Sequence, residues 1–371
     1  MRTVGKRALQ VGAILGLVIA ACAPLCGQSL LTGMNIVNPL RASEADRAAL
    51  ISQLKTAHVQ VVRFGISDVA AGVDFAKRLN AAGIRINLIL NVQFPKDAPS
   101  VPYRPKEYPD MWGGHPLSYA DPELSRAYFQ SILSAFDENK IELASLELGN
   151  EINWTAFNPE FPLPGEGRIF NHADLANDPE AKQVAKGFLQ YLKVLAVLKE
   201  VRDQASLNKK TPILSAGLAD PGTARATPGG HDAVTITATL QYLREHGLDK
   251  YVDGYGIHTY PSQSTPQARR AAILNDALVA CGTGAPGKTK PCWITEWGMN
   301  NMDKSCPIYD RSRSAIAQEV MGIFRDQVEA GRLIATIYFS WNSDPWAKQV
   351  STSSVYRCGE ETPTGRIALQ R

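Results

Sequence analysis

Short apolar runs alternate with amphipathic stretches along most of the 371-residue chain. The runs Leu30–Asn35, Val59–Phe64, Ile84–Asn91, Leu143–Asn150, Pro212–Gly217, Val252–His258, Cys292–Glu296 and Leu333–Trp341 have the length and composition of strands buried on both faces. The stretches between them carry helix signals. Ser43-Glu44-Ala45-Asp46 supplies an N-cap and early acids for a helix to about Ala57, and Ser67-Asp68 opens a second that ends at Gly83. Asp121-Pro122-Glu123 puts proline at a first helical position before Leu124–Asn139. Longer helices are predicted at Pro179–Ser206, Asp232–His246, Pro266–Ala280 and Arg311–Gly331, while only Thr364–Arg371 remains for a short or absent closing helix. Eight strand–helix units in strict alternation predict an α/β chain with a parallel sheet closed into a (β/α)8 TIM barrel, as a single domain. An open doubly wound sheet is the alternative, but it needs a glycine-rich phosphate turn after the first strand, and Gly33-Met34-Asn35-Ile36 is not one.

The first 27 residues do not fit this alternation. Arg2, Lys6 and Arg7 precede an apolar run from Val11 to Ala21, the layout of a signal peptide and too short for a membrane span. Two processing routes are open: lipidation at Cys22, since Ile19-Ala20-Ala21-Cys22 resembles a bacterial lipobox, or cleavage near Gly27. A secreted or periplasmic protein of residues 28–371 is expected, with a lipid anchor under the first route. Those three basic residues account for the whole excess of 39 basic over 36 acidic side chains. The remainder is balanced and implies neither a nucleic-acid nor a membrane-surface partner, which leaves neutral carbohydrate as a plausible one. Cys281, Cys292, Cys306 and Cys358 are an even set in an exported chain, so disulfides are expected. Proximity favours Cys281 with Cys292 and Cys306 with Cys358 among three possible pairings. No Cys-x-x-Cys or His-x-x-x-His spacing occurs, so neither a metal nor another cofactor is expected.

Chemistry concentrates where the fourth and seventh strands end. Ala144-Ser145-Leu146-Glu147-Leu148-Gly149-Asn150-Glu151 and Pro291-Cys292-Trp293-Ile294-Thr295-Glu296-Trp297-Gly298 each carry an acid out of an apolar run, which is costly unless the acid is used. Alternation puts Glu147, Gly149 and Glu151 on one face and Leu146 and Leu148 on the other, and it pairs Ile294 with Glu296. Glu151 and Glu296 are thereby expected at the barrel mouth, as the paired carboxylates of glycoside cleavage. Trp293, out of phase with Glu296, is expected to pack against helices. The loops Val92–Ala120 and Ile152–Asp178, rich in Pro, Gly, Trp and Tyr, follow strand C-termini, where barrel active sites are built. Trp112, Trp154 and Trp346 lie in mouth loops and could serve equally as packing or as sugar platforms.

Leu146-Glu147-Leu148-Gly149-Asn150-Glu151 resembles the strand-four Asn-Glu signature of glycoside hydrolase clan A, and Thr295-Glu296-Trp297-Gly298 resembles its strand-seven nucleophile signature. Val62-Arg63-Phe64, Gly256-Ile257-His258-Thr259-Tyr260-Pro261 and Tyr338-Phe339-Ser340-Trp341 resemble, in order, its strand-two arginine, strand-six His/Tyr element and strand-eight tryptophan. Families five and thirty-nine are the nearest in pattern. Ile152 replaces the proline that commonly follows the Asn-Glu pair. Gly149-Asn150-Glu151-Ile152-Asn153 is instead similar to family fifty-three endo-galactanases, whose strand-seven pattern is missing. The resemblance implies a retaining β-glycosidase with Glu151 as acid/base and Glu296 as nucleophile, and a monomer is expected. Arg63, Asn150, His258, Tyr260, Trp297 and Trp341 would bind substrate or orient these acids. Arg63 could equally neutralise Glu147 inside the barrel, and His258 could be a core histidine. The rivals are a non-catalytic carbohydrate-binding barrel and an inverting hydrolase.

Overall fold

The computed structural model describes residues 29–371 except 105, 109–110, 221–229, 262–264, 286, 302–305, 307 and 343–351. The signal-peptide and lipobox expectations and Trp346 lie outside the described residues. Strands β1 (Leu31–Asn35), β2 (Val61–Gly65), β3 (Arg85–Leu90) and β4 (Ser145–Leu148) run parallel side by side. The fifth stave is broken into β6 (Ile213–Leu214) and β7 (Leu218–Ala219), after a short outlying β5 (Ile169–Phe170) that pairs with β8 (Ala233–Val234). β9 (Tyr255–Thr259), β10 (Cys292–Trp297) and β11 (Leu333–Tyr338) complete the set, and β11 pairs with β1. The two halves of the fifth stave join the circle: β6 pairs with β4 and β7 with β9. Bridges at Asn150–Gly217 and Leu214–Gly254 continue both seams. The barrel is closed by eight staves; each begins in a run expected from sequence, but the second half of the fifth, Leu218–Ala219, lies just past the expected Pro212–Gly217.

Helices form where the caps are good. Ser43, Asp68, Asp121, Asp178, Thr235 and Thr362 each accept a backbone N–H of the first turn that follows. The helix expected to begin at Asp232 instead runs Ile236–Glu245. The reason is that Asp232 is spent on a loop: its carboxylate accepts the backbone N–H groups of Glu166 and Arg168, and Thr235 takes over as cap. The closing helix is a short one, Pro363–Ala368, and packs on the helix Arg311–Glu329.

The main core lies between staves and helices and holds the outward strand residues Met34, Val62, Phe64, Leu146, Leu148, Ile257 and Ile294. Inside the barrel the layers are different. Leu214, Trp293 and Ala335 with Leu31 make an apolar floor, so Trp293 points inward rather than against helices as alternation had placed it. Asn87 and Ser145 bond to each other above that floor, and a charged layer around Arg63 caps the interior. Both favoured disulfides form, Cys281–Cys292 and Cys306–Cys358.

Candidate active site

Arg63 is the hub of the charged layer. Its five N–H donors are all engaged. Nε and Nη2 hold Glu147 at 2.9 and 2.8 Å, and Nη2 also donates to Asn150 Oδ1 at 2.9 Å. Nη1 donates to Asn35 Oδ1 at 2.9 Å and to Glu296 Oε1 at 2.5 Å. The sequence left open whether Arg63 neutralises Glu147 or serves the mouth acid; geometry shows it bonded to both.

The chain folds this way because regular alternation fails at both strand ends. Gly149 (φ 80°) and Glu151 (φ 47°) adopt left-handed backbone on either side of Asn150. That double turn brings the side chains of both Asn150 and Glu151 inward, whereas alternation would have sent Asn150 outward. The backbone is held there by Gly149 N–H to Leu90 O and Glu151 N–H to Gly217 O. On β10 the register slips between Ile294 and Glu296. Thr295 points in and bonds Glu147, yet Glu296 points in as well. Pairing Glu296 with Ile294 was therefore the wrong derivation of the right position; a bulge delivers the acid.

His258, fully buried, joins the two acids. Its Nδ1 is 2.8 Å from Glu151 Oε1 and 3.7 Å from Glu296 Oε2, and its Nε2 is 3.2 Å from Thr295 Oγ1. Trp154 Nε1–H donates to Glu151 Oε2 at 2.7 Å, and the Tyr260 hydroxyl donates to Glu296 Oε2. One oxygen each of Glu151 and Glu296 and a nitrogen of His258 all lie within 4.8 Å of one another. Such a trio can suggest a cation, but Arg63 already donates to one Glu296 oxygen and the Tyr260 hydroxyl donates to the other. Both Glu151 oxygens are occupied too, so these groups do not fit a metal.

Charge follows from these contacts. Burial pushes the Glu147 carboxyl up, but the Arg63 charge and bonds from His258 and Arg63 outweigh it and hold it at about 2. Burial alone would lower His258; the charge of Glu296 and bonds to Glu147 and Glu151 raise it to about 9. Burial and the neighbouring carboxylates push Tyr260 well above the usual phenol range, so it is a donor at any working pH.

A cavity of about 480 Å³ opens over this layer, lined by the polar Asn150, Glu151 and Glu296 and by the rings of Trp112, Trp154, Phe157, His231, Tyr260 and Phe339. Of the sequence-predicted residues, the structure brings together Arg63, Asn150, Glu151, His258, Tyr260 and Glu296. Trp297 and Trp341 are elsewhere. Trp297 packs edge-on against Phe324 and Tyr338. Trp341 is buried against Tyr356 and donates to Gln53. At the eighth strand the pocket aromatic is Phe339, edge-on to Tyr260. It shares a face with the interior residues Ala335 and Ile337, and that alternation was the signal that could have found it. Phe157 and His231 had no such signal, because both sit on irregular loops.

No family model and no curated relative matches the chain. Solved structures do. Fungal β-1,4-galactanases share 13% identity over 87% of this chain and 91% of theirs, with a TM-score of 0.56. A GH5-4 broad-specificity endoglucanase from an uncultured bacterium shares 14% over 93% and 97%, at 0.52. A family 1 β-glucosidase from Thermotoga maritima shares 12% over 92% and 97%, at 0.51. At such identities the likeness is one of fold, and the fold is that of the clan A glycoside hydrolases.

Proposed function

We propose that this protein is a retaining β-glycosidase acting on a polysaccharide or its fragments, and that it is exported. The observation that carries the reading is the meeting of Glu151 and Glu296 in one cavity, with oxygens within 4.8 Å. A retaining pair needs about 5–5.5 Å between carboxyls, whereas an inverting pair needs about 6.5–9.5 Å to admit a water. The cavity supports the substrate class as well: aromatic faces suit the C–H faces of a pyranose, and the polar side chains suit its hydroxyls. The structural neighbours named galactanase, endoglucanase and β-glucosidase agree with a sugar substrate. Both disulfides fit an oxidising compartment.

In this reading Glu296 attacks the anomeric carbon while Glu151 passes a proton to the departing oxygen, leaving a glycosyl ester on Glu296. Water activated by Glu151 then releases the sugar. Arg63 and Tyr260 aim the nucleophile, each donating to one of its oxygens. Asn150, its Oδ1 tied to Arg63, offers its amide N–H to the sugar 2-hydroxyl. Expected outcome: Glu296→Ala loses at least about 1000-fold in turnover of activated aryl β-glycosides, and azide restores part of it as the α-glycosyl azide. Undiminished hydrolysis by that variant sinks the proposal.

A further inference from the structure

Glu147 has no part in the steps above, yet it is fully buried and accepts four hydrogen bonds. Arg63 grips it through two nitrogens, the Gly217 N–H donates to its Oε1 at 3.0 Å, and the Thr295 hydroxyl donates to the same oxygen at 3.1 Å. Hydrogen counting around His258 shows what this achieves. Arg63 Nη2 lies 3.4 Å from His258 Nε2, but its two hydrogens are given at shorter range to Glu147 and Asn150, and the other three N–H groups are spent on Glu147, Asn35 and Glu296. The polar neighbours of Nε2 that remain are acceptors: Glu147 Oε1 at 3.9 Å, and Thr295 Oγ1 at 3.2 Å, whose one hydrogen goes to the Glu147 carboxylate and leaves a lone pair facing the ring. Nε2 must then carry a hydrogen. At the other nitrogen, Nδ1 faces Glu151 Oε1, while Glu151 Oε2 accepts from the donor-only Trp154 Nε1–H. A single proton is thus shared between Nδ1 and Oε1.

We propose that Glu147, acting through Thr295 and Arg63, is a positioning residue that keeps a hydrogen on His258 Nε2 and so makes His258 and Glu151 one proton-sharing pair that stores the catalytic proton. The proposal rests on Glu151 being the acid/base. Every charged or titratable group facing the imidazole enters the balance: Arg63 from β2, Glu147 and Glu151 from the fourth stave, Glu296 from β10 and Tyr260 just past β9. The fifth stave offers only Gly217, where a Cβ would come within 2.0 Å of Nε2. Three carboxylates against one guanidinium leave room for one more positive charge, and His258 carries it when the shared proton sits on Nδ1. When Glu151 needs the proton, the imidazole returns to neutral without losing Nε2–H, because Thr295 still accepts it. The proton moves from Nδ1 to Oε1 and on to the leaving oxygen; the imidazole recovers one from water in the second step through Glu151.

Two variants and two readouts test this. Glu147→Gln removes the charge; Thr295→Val removes the relaying hydroxyl and leaves the Arg63–Glu147 ion pair intact, so it remains informative should the first fail to fold. In nitrogen-15 NMR of labelled histidine, both variants are expected to lower the His258 titration by about one pH unit or more. The basic limb of kcat/KM on an aryl β-glycoside should move down by the same amount, with kcat reduced about tenfold or more and KM nearly unchanged. If Glu147 is structural only, thermal stability falls but the titration and the basic limb coincide with the parent, and that result overturns the proposal. Should the parent hydrolyse no glycoside, the glycosidase reading fails while the NMR titration still decides this one.

Discussion

Each residue of the charged layer satisfies its neighbour's hydrogen-bonding needs, and single atoms can be tested. Tyr260 gives Glu296 its only hydroxyl donor among the described residues, while Arg63 covers the other oxygen. Tyr260→Phe keeps the ring against Phe339 and removes that donor, so kcat/KM should drop about tenfold to a hundredfold, the worth of a hydrogen bond to a charged group. A rate equal to the parent would show that Arg63 alone orients the acid. At this scale much of the site was legible: the residue types Arg63, Asn150, Glu151, His258, Tyr260 and Glu296 were readable from motif order. What was not legible is the role of Glu147, since a buried acid in a strand looks the same whether it is a counter-ion or a proton manager. Trp297 and Trp341 misled because an aromatic at a strand end stacks equally well on helices and on sugars, and only the direction of the side chain decides.

At the level of elements, the mouth depends on where strands stop being regular. All eight staves could be drawn from periodicity, because inward and outward residues obey a period of two within them. The same rule failed at Asn150 and at Glu296, where a left-handed turn and a bulge re-aim side chains, and neither leaves a mark in hydrophobic patterning. The broken fifth stave has a matching function: Gly217 lies under His258, where no side chain fits. Gly217→Ala should displace the imidazole and lower kcat by about a hundredfold, as small misplacements do. Crystals of that variant with His258 unmoved would contradict the packing argument.

Over the whole molecule, two links tie different ends of the barrel. Cys281–Cys292 closes a loop at the start of β10, on the floor side, whereas Cys306–Cys358 joins the loops that follow β10 and β11 at the mouth. Removing the first by a double Cys→Ser change should cost about 2–3 kcal/mol of stability and spare turnover at 25 °C. Removing the second should lower turnover as well, and equal activity losses would count against this division. Stability should also bracket pH. The His258 contribution, complete below its unperturbed value of about 6.5, drains away as pH rises through about 9. Glu147 contributes fully above its ordinary 4.5 and is lost as pH falls toward about 2. Thermal melts should therefore decline on both sides of a mildly acidic plateau between about pH 4.5 and 6.5, and a curve flat from pH 7 to 10 would exclude a charged His258. The proposed function has the barrel hold Glu151 and Glu296 across one anomeric carbon, and covalent trapping tests that most directly. The protein, incubated with a panel of 2-deoxy-2-fluoro β-glycosides bearing a dinitrophenyl leaving group, should gain the mass of one fluorosugar, mapped by peptide mass spectrometry to Glu296. Label on any other residue, or hydrolysis of the parent glycoside with inverted configuration and no label at all, would contradict it.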